Sequence, residues 1–221
     1  SGRGGPVLVE IPVDVWNEEI DVLDHVPSRS MRSGPDPEAV REAAAMLVRA
    51  RRPVIYAGQG VHWAEAWPEL RRLAELLAIP VCTSLEGKSA FPETHPLALG
   101  SGGLAMPRTV RHFLDEADLI LGIGCSFTET AFGVAMPKGK TIIHATLDPM
   151  DVGKDVPAAL GVLGDAKRVL EALIAECERQ GGSASRDSSA VAREIAGIHA
   201  PWLDRWLPKL EADGVPLNPY R

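Results

Sequence analysis

Five short apolar runs punctuate the chain, most of them next to a segment of helical period. They are Val54-Ile55-Tyr56-Ala57, Ile79-Pro80-Val81-Cys82-Thr83-Ser84, Leu119-Ile120-Leu121-Gly122-Ile123, Thr141-Ile142-Ile143-His144-Ala145 and Ala159-Leu160-Gly161-Val162-Leu163. Apolar runs without alternation read as strands buried on both faces, the habit of parallel sheets. The segments between them carry helical stripes. Val40, Ala43, Ala44, Leu47 and Val48 share one face, behind Asp36 as N-cap and Pro37 at the first helical position. Leu70, Leu73, Ala74 and Leu77 stripe a helix over 64–78 with Pro68 in its first turn. Val110, Phe113 and Leu114 point inward from 109–116, and Val169, Leu170, Leu173, Ile174 and Cys177 from a helix opened by Gly164-Asp165. The alternation predicts an α/β fold: a Rossmann-like three-layer domain with a mostly parallel sheet of about five or six strands and helices on both faces.

Other stretches stand outside this rhythm. Pro6-Val7-Leu8-Val9-Glu10-Ile11-Pro12 reads as a strand with no partner nearby, as if it belonged to a neighbouring unit. Residues 25–37, rich in Pro, Ser, Gly and Arg, read as an exposed linker, and 180–189 as a Gly/Ser linker. Residues 85–108 and 124–140 form long loops without periodicity, a length that usually carries function or short elements of its own. Residues 190–212 are helical, with Trp202, Trp206 and Leu210 in register for packing.

Composition narrows the partners. The 221 residues carry a net charge of -7 and a pI near 5.4. An acidic, mixed-charge surface argues against nucleic acid and against anionic membrane. The apolar runs are far short of the ~20 residues of a membrane span, and no basic-then-apolar leader is visible. Cys82, Cys125 and Cys177 form no Cys-x-x-Cys and read as reduced, buried thiols of a cytoplasmic protein. No two of the six histidines sit four residues apart, so a histidine-based metal site is not expected.

Chemistry in such a sheet belongs beyond the carboxyl ends of the strands. The glycine turns fall there: Gly58-Gln59-Gly60, Gly122-Ile123-Gly124 and the approach at Gly87. Glycine lets backbone come close to a pyrophosphate, and a helix N-terminus aims donors at it. The dehydrogenase fingerprint nevertheless fails. Trp63 and Phe127 occupy its third glycine positions, and Thr83-Ser84 replaces the acidic residue that closes the second strand. Gly87-Lys88-Ser89 has the tail of a Walker motif, but Val81 or Cys82 stands where the upstream glycine is required. The glycines are therefore equally readable as plain strand-to-helix turns. Asp148 and Asp165 are readable as helix caps, and Lys88 as a solvated charge. No serine–histidine–acid triad or carboxylate pair assembles, so neither an NAD enzyme nor a deacylase is favoured.

The ordered set of segments resembles a known family. Arg52-Pro53-Val54-Ile55-Tyr56-Ala57-Gly58-Gln59-Gly60, Gly87-Lys88-Ser89-Ala90-Phe91-Pro92-Glu93-Thr94-His95-Pro96-Leu97, Ala117-Asp118-Leu119-Ile120-Leu121-Gly122-Ile123-Gly124 and Leu147-Asp148-Pro149-Met150-Asp151-Val152-Gly153-Lys154 resemble the central domain of thiamine-diphosphate-dependent enzymes, above all the acetolactate synthase group. Gly5-Pro6-Val7-Leu8-Val9-Glu10-Ile11-Pro12 resembles the end of that family's pyrimidine-binding domain, and Leu217-Asn218-Pro219-Tyr220-Arg221 the start of its diphosphate-binding domain.

The resemblance implies three parts: 1–35 as the tail of the preceding domain with its linker, 36–179 as the central nucleotide-binding-like domain, and 180–221 as the linker and helix leading onward. It implies a longer enzyme, a homodimer or homotetramer, working on a 2-oxo acid with thiamine diphosphate and magnesium held by the flanking domains. No catalytic residue falls in this chain on that reading. By position, it assigns Gly58, Gln59, Gly60, Gly87, Lys88, Gly124 and Ser126 to the pyrophosphate and ribose of FAD or ADP, with Asp148 and Asp165 near the adenosine end. The flavin-binding relatives carry an Arg-Phe-Asp-Asp-Arg run where this chain has Ser126-Phe127-Thr128-Glu129-Thr130, so both arginines are absent. The alternative is a stand-alone adenine-nucleotide-binding module without thiamine chemistry.

Overall fold

The computed structural model describes residues 2–22, 24–28, 31–182 and 186–219. Its frame is a six-stranded, all-parallel sheet: β1 (Pro53–Ala57), β2 (Val81–Thr83), β3 (Ala98–Ser101), β4 (Leu119–Ile123), β5 (Thr141–Thr146) and β6 (Leu160–Leu163), in the spatial order β3-β2-β1-β4-β5-β6. That is the doubly wound order, which reverses direction between β1 and β4. The α/β reading holds, and the sheet is parallel throughout.

The helices are α1 (Pro37–Arg49), α2 (Gly60–Trp63), α3 (Trp67–Leu77), α4 (Arg108–Glu116), α5 (Ala166–Arg179) and α6 (Ser188–Leu210), with a 3-10 turn at Pro149–Asp151. Strand alternation sorts the core into two halves. Ile55, Ala57, Leu121, Ile123, Ile143 and Ala145 meet the stripes of α1, α3 and α5. Val54, Tyr56, Ile120 and Ile142 meet Val110, Phe113 and Leu114 of α4 and Ile195 of α6. Three layers result, because each strand has an apolar residue on both sides.

Local chemistry sets the ends. The Asp36 carboxylate accepts from the Glu38 amide at 2.9 Å with Pro37 behind it, as the cap reading requires. The helix expected over 64–78 begins later. Glu65 takes φ 52°, and this break separates α2 from α3, whose first turn still holds Pro68. The unperiodic stretch 85–108 hides β3, a half-buried Ala-Leu-Gly-Ser strand without the apolar run that marks its neighbours. The expected strand at 6–12 does not form. Val7, Leu8 and Val9 stay exposed, since a strand exists only by pairing its backbone groups and no neighbour is present among the described residues. Part of the Gly/Ser linker, 183–185, lies outside the described residues. No helix among them is long and apolar enough to cross a membrane.

Two polar clamps carry the chain from one face to the other. Arg186 donates Nε to the Leu77 carbonyl at 2.7 Å and Nη1 to those of Ala50 at 2.6 Å and Leu47 at 3.3 Å. One guanidinium thus satisfies the unpaired C-terminal carbonyls of both α1 and α3. Glu194 of α6 accepts from Arg52 and from His112 of α4, both at 2.7 Å, and Arg52 lies 5.8 Å from the centroid of the Phe113 ring. Arg186→Ala should cost about 1.5–3 kcal/mol in urea denaturation, the range for hydrogen bonds to a charged group. A loss below about 0.5 kcal/mol, the scatter of surface substitutions, would contradict the capping role. The Arg52 hydrogen bond, and more weakly that of His112, hold the Glu194 carboxyl below the ordinary glutamate range. Its contribution is therefore present above the unfolded-state pKa of about 4.3 and lost as pH falls through the lower folded value. Glu194→Gln should flatten the acid limb of a stability–pH curve measured by denaturant midpoint, and an unchanged limb would count against it.

Candidate functional site

The carboxyl ends of β1 and β4 meet at the point where strand order reverses. The Gly58 amide donates to the Ile123 carbonyl at 2.9 Å, that of Gly60 to Gly124 at 2.8 Å and that of Gly124 to Ala145 at 2.9 Å. These bonds prolong the ladder past the strand ends and bring the two glycine turns into backbone contact. A Cβ on Gly58 would lie 2.4 Å from the Gly124 carbonyl oxygen, and one on Gly60 2.7 Å from the Gly124 Cα. Gly124 adopts φ +61°, and a Cβ there would lie 2.8 Å from the Val61 nitrogen. Gly87 joins them: its added Cβ would reach the Ala57 carbonyl at 2.4 Å, and its amide already donates to Ser84 Oγ at 3.0 Å. Four glycines singled out from sequence are thus brought together, and chain touching chain is what excludes their side chains.

The remaining candidates are spread along the same edge. Gln59 is exposed between the two glycines. The Lys88 ammonium is paired with Glu93. Ser126 Oγ accepts from the Thr128 hydroxyl at 2.9 Å, closing a local turn. Asp148 accepts from the Met150 amide at 3.0 Å and caps the 3-10 turn. Asp165 accepts from the Lys167 amide at 3.1 Å and caps α5. Both aspartates do what the cap reading describes, one and two strands further out than β4.

Several residues of this edge carried no sequence signal. Phe127 turns back over the sheet at φ 49°, stacks on Tyr56 at 5.5 Å and meets His144 edge-on at 4.8 Å. Gly122 makes room for it, since a Cβ there would come within 2.2 Å of the ring. The left-handed backbone costs about 1–2 kcal/mol, which the burial of the ring, about 1.5–3 kcal/mol, offsets. His62 is bracketed by Trp67, whose indole N–H donates to Nδ1 at 2.9 Å, and the Lys88 carbonyl, 2.9 Å from Nε2. The tautomer follows: Nδ1 accepts, so Nε2 carries the proton and donates. This relay ties α2, the start of α3 and the loop after β2 into one unit. His144, wholly buried, donates Nε2–H to the Cys125 carbonyl at 2.9 Å and leaves Nδ1 without a protein partner. Burial lowers its pKa and keeps it neutral.

The three thiols are buried. Burial pushes the Cys82 and Cys177 thiols up to about 12 and Cys125 higher still, so none is a thiolate near neutral pH. No group of three metal-ligating side chains occurs among the described residues. A shallow groove of about 440 Å³ runs between α3 and α5 past Glu69, Arg72, Glu171 and Glu178, well away from the glycine turns.

Gly58→Ala and Gly197→Ala separate close approach from mere turn preference. The first should destabilise by about 3 kcal/mol or more, because backbone must move. The second sits exposed inside α6 with nothing within 4 Å, and should stabilise by about 0.5–1 kcal/mol. Equal thermal midpoints for the two variants would refute the packing account of Gly58.

Residues 40–173 match the family described as "Thiamine pyrophosphate enzyme, central domain". The probable acetolactate synthase large subunit of Methanocaldococcus jannaschii is 37% identical over 238 residues, covering 100% of this chain and 38% of that protein. An acetolactate synthase of Mycobacterium bovis is 38% identical over 186 residues, covering 79% of this chain and 29% of its own. Among solved structures, a putative thiamin diphosphate-dependent enzyme from Mycobacterium smegmatis superposes with TM-score 0.62 and 28% identity over 75% of this chain and 32% of that one. Benzoylformate decarboxylase from Polynucleobacter necessarius gives TM-score 0.58 and 26% identity, over 74% and 31%. The chain spans under two-fifths of the length of the curated relatives it matches.

Proposed function

The chain belongs to the family of thiamine pyrophosphate enzyme central domains, and from that premise we propose that it is the non-catalytic middle unit of an acetolactate synthase-like enzyme acting on a 2-oxo acid. Residues 1–35 then trail from a pyrimidine-binding domain, 36–179 form the central domain, and 180–221 lead to a diphosphate-binding domain. Thiamine diphosphate, the electron sink of such chemistry, and magnesium belong to those neighbours. The assembly is a cytoplasmic homodimer or homotetramer. One observation carries the reading: a chain folded as one six-stranded parallel α/β unit is matched over 100% of its length to an acetolactate synthase large subunit of which it spans only 38%. The polypeptide with both flanking domains should consume a 2-oxo acid when given thiamine diphosphate and magnesium, and the 221-residue chain should not. Turnover by the short chain alone would defeat the proposal.

The fold family also suggests FAD or ADP at the glycine crevice, and the residues present do not fit it. A pyrophosphate needs free N–H donors or cations. The amides of Gly58, Gly60, Gly87 and Gly124 are already engaged. Asp165 occupies the N-terminus of α5, and α2 is a single four-residue turn. Lys88 pairs with Glu93, Arg32 with Asp165 and Arg3 with Asp151. The two arginines of flavin-binding relatives are absent. Neither nucleotide binding nor the stand-alone module is supported. Calorimetric titration with ADP and with FAD should show no saturable heat at millimolar ligand, and a micromolar dissociation constant for either would reverse this conclusion.

A further inference from the structure

Between residues 36 and 182, the large apolar side chains left exposed are not scattered. Trp63 (77%), Leu104 (76%), Phe132 (67%) and Met150 (79%) are open to solvent, with Leu85 and Leu163 near half. They fall one to each strand, in the connections that leave the carboxyl ends of β1 to β5 (Trp63 ending α2, Met150 in the 3-10 turn) and at the last residue of β6. The six strands are parallel, so those positions share one edge. Trp67, the remaining exposed large side chain of the region, opens α3 beside Trp63. The connections at the opposite edge, near residues 50–52, 78–80, 117–118 and 157–159, expose none. Single exposed apolar residues are ordinary, but a set gathered on one edge marks a contact surface.

The chemistry of the edge selects its occupant. The amides of Gly58, Gly60, Gly87 and Gly124 and the charges of Lys88, Arg32 and Arg3 are already engaged, whereas Trp, Phe and Met are what the buried centre of a protein contact is enriched in. The chain that precedes α1 is anchored here. Arg3 pairs with Asp151 after β5. Arg32 donates to the Ala64 carbonyl at 2.7 Å and lies 3.7 Å from Asp165 after β6, and the Asp165 amide donates to the Ser33 carbonyl at 3.0 Å. By contrast, α6 is held at the other edge, through Arg52 and Arg186. Whatever precedes this chain is therefore delivered to the apolar edge.

We propose that the carboxyl edge of the sheet is a docking face for the folded domain that precedes this chain in the intact polypeptide, with Trp63, Leu104, Phe132 and Met150 at the contact. This rests on the multidomain reading above. Hydroxyl-radical footprinting of the intact polypeptide and of the 221-residue chain tests it. Oxidation of Trp63, Phe132 and Met150 should be fast in the short chain and fall several-fold in the intact protein. Equal oxidation in both overturns the proposal. Protection that grows with concentration in the short chain overturns it in favour of a second copy. A double variant, Trp63→Ser with Leu104→Ser, should leave the melting temperature of the short chain unchanged while tryptic cleavage after Arg32 rises several-fold in the intact protein. Unchanged cleavage also overturns it. An intact gene product with no preceding domain removes the multidomain reading and this inference together. Unchanged footprinting in a longer product removes this inference alone.

Discussion

The close approach of two backbone turns at the β1–β4 seam is the constraint on which the rest depends. Parallel strands adjacent in space but far apart in sequence must be joined where the winding reverses, and here the ladder runs on past both strand ends into the glycine turns. Any side chain at Gly58, Gly60 or Gly124 would collide with main chain, which cannot rotate away as a side chain can. The same packing consumes the amides that would otherwise receive an anion. The two glycine turns form a structural joint of backbone against backbone.

Around that joint, polar side chains do the connecting that apolar packing cannot. Arg186 stitches the C-termini of α1 and α3, Glu194 gathers Arg52 and His112, and the His62 relay locks the start of α3 to the loop after β2. Each joins separate elements through directional bonds, to backbone carbonyls from Arg186 and His62 and between side chains at Glu194 and Trp67. The second face of the sheet, with only α4 and part of α6 upon it, is completed by the aromatic ring of Phe127 rather than by another helix. At the carboxyl edge Lys88 pairs with Glu93, Arg32 with Asp165 and Arg3 with Asp151, beside a set of exposed apolar side chains.

Much of this was legible in the residue order. Unalternating apolar runs announced five of the six strands, because a strand covered on both faces has no solvent side to demand regular polar alternation. Asp36-Pro37 and Gly164-Asp165 announced helix starts, because capping is a contact across two or three residues. The strand at Ala98–Ser101 was not legible: an edge strand, half covered, needs little hydrophobicity and takes its identity from β2 beside it. The run at 6–12 shows the converse, strand-like in composition and unpaired in space. The break at Glu65 was likewise hidden, since its φ of 52° falls on a glutamate rather than on a glycine or asparagine that would signal it.

The sequence by itself thus determined what short-range physics controls: the period of each element, its caps, the α/β class, the family likeness and the absence of a nucleotide fingerprint. Only the tertiary structure decided what Gly58, Gly60, Gly87 and Gly124 are for. Whether a glycine faces a ligand or another backbone depends on which distant segment arrives opposite it, and that is fixed by the winding of the sheet rather than by any local pattern. The same holds for Phe127 and Arg186, and for the gathering of Trp63, Leu104, Phe132 and Met150 on one edge. They are scattered along the chain and meet only because parallel strands send every carboxyl end to the same side.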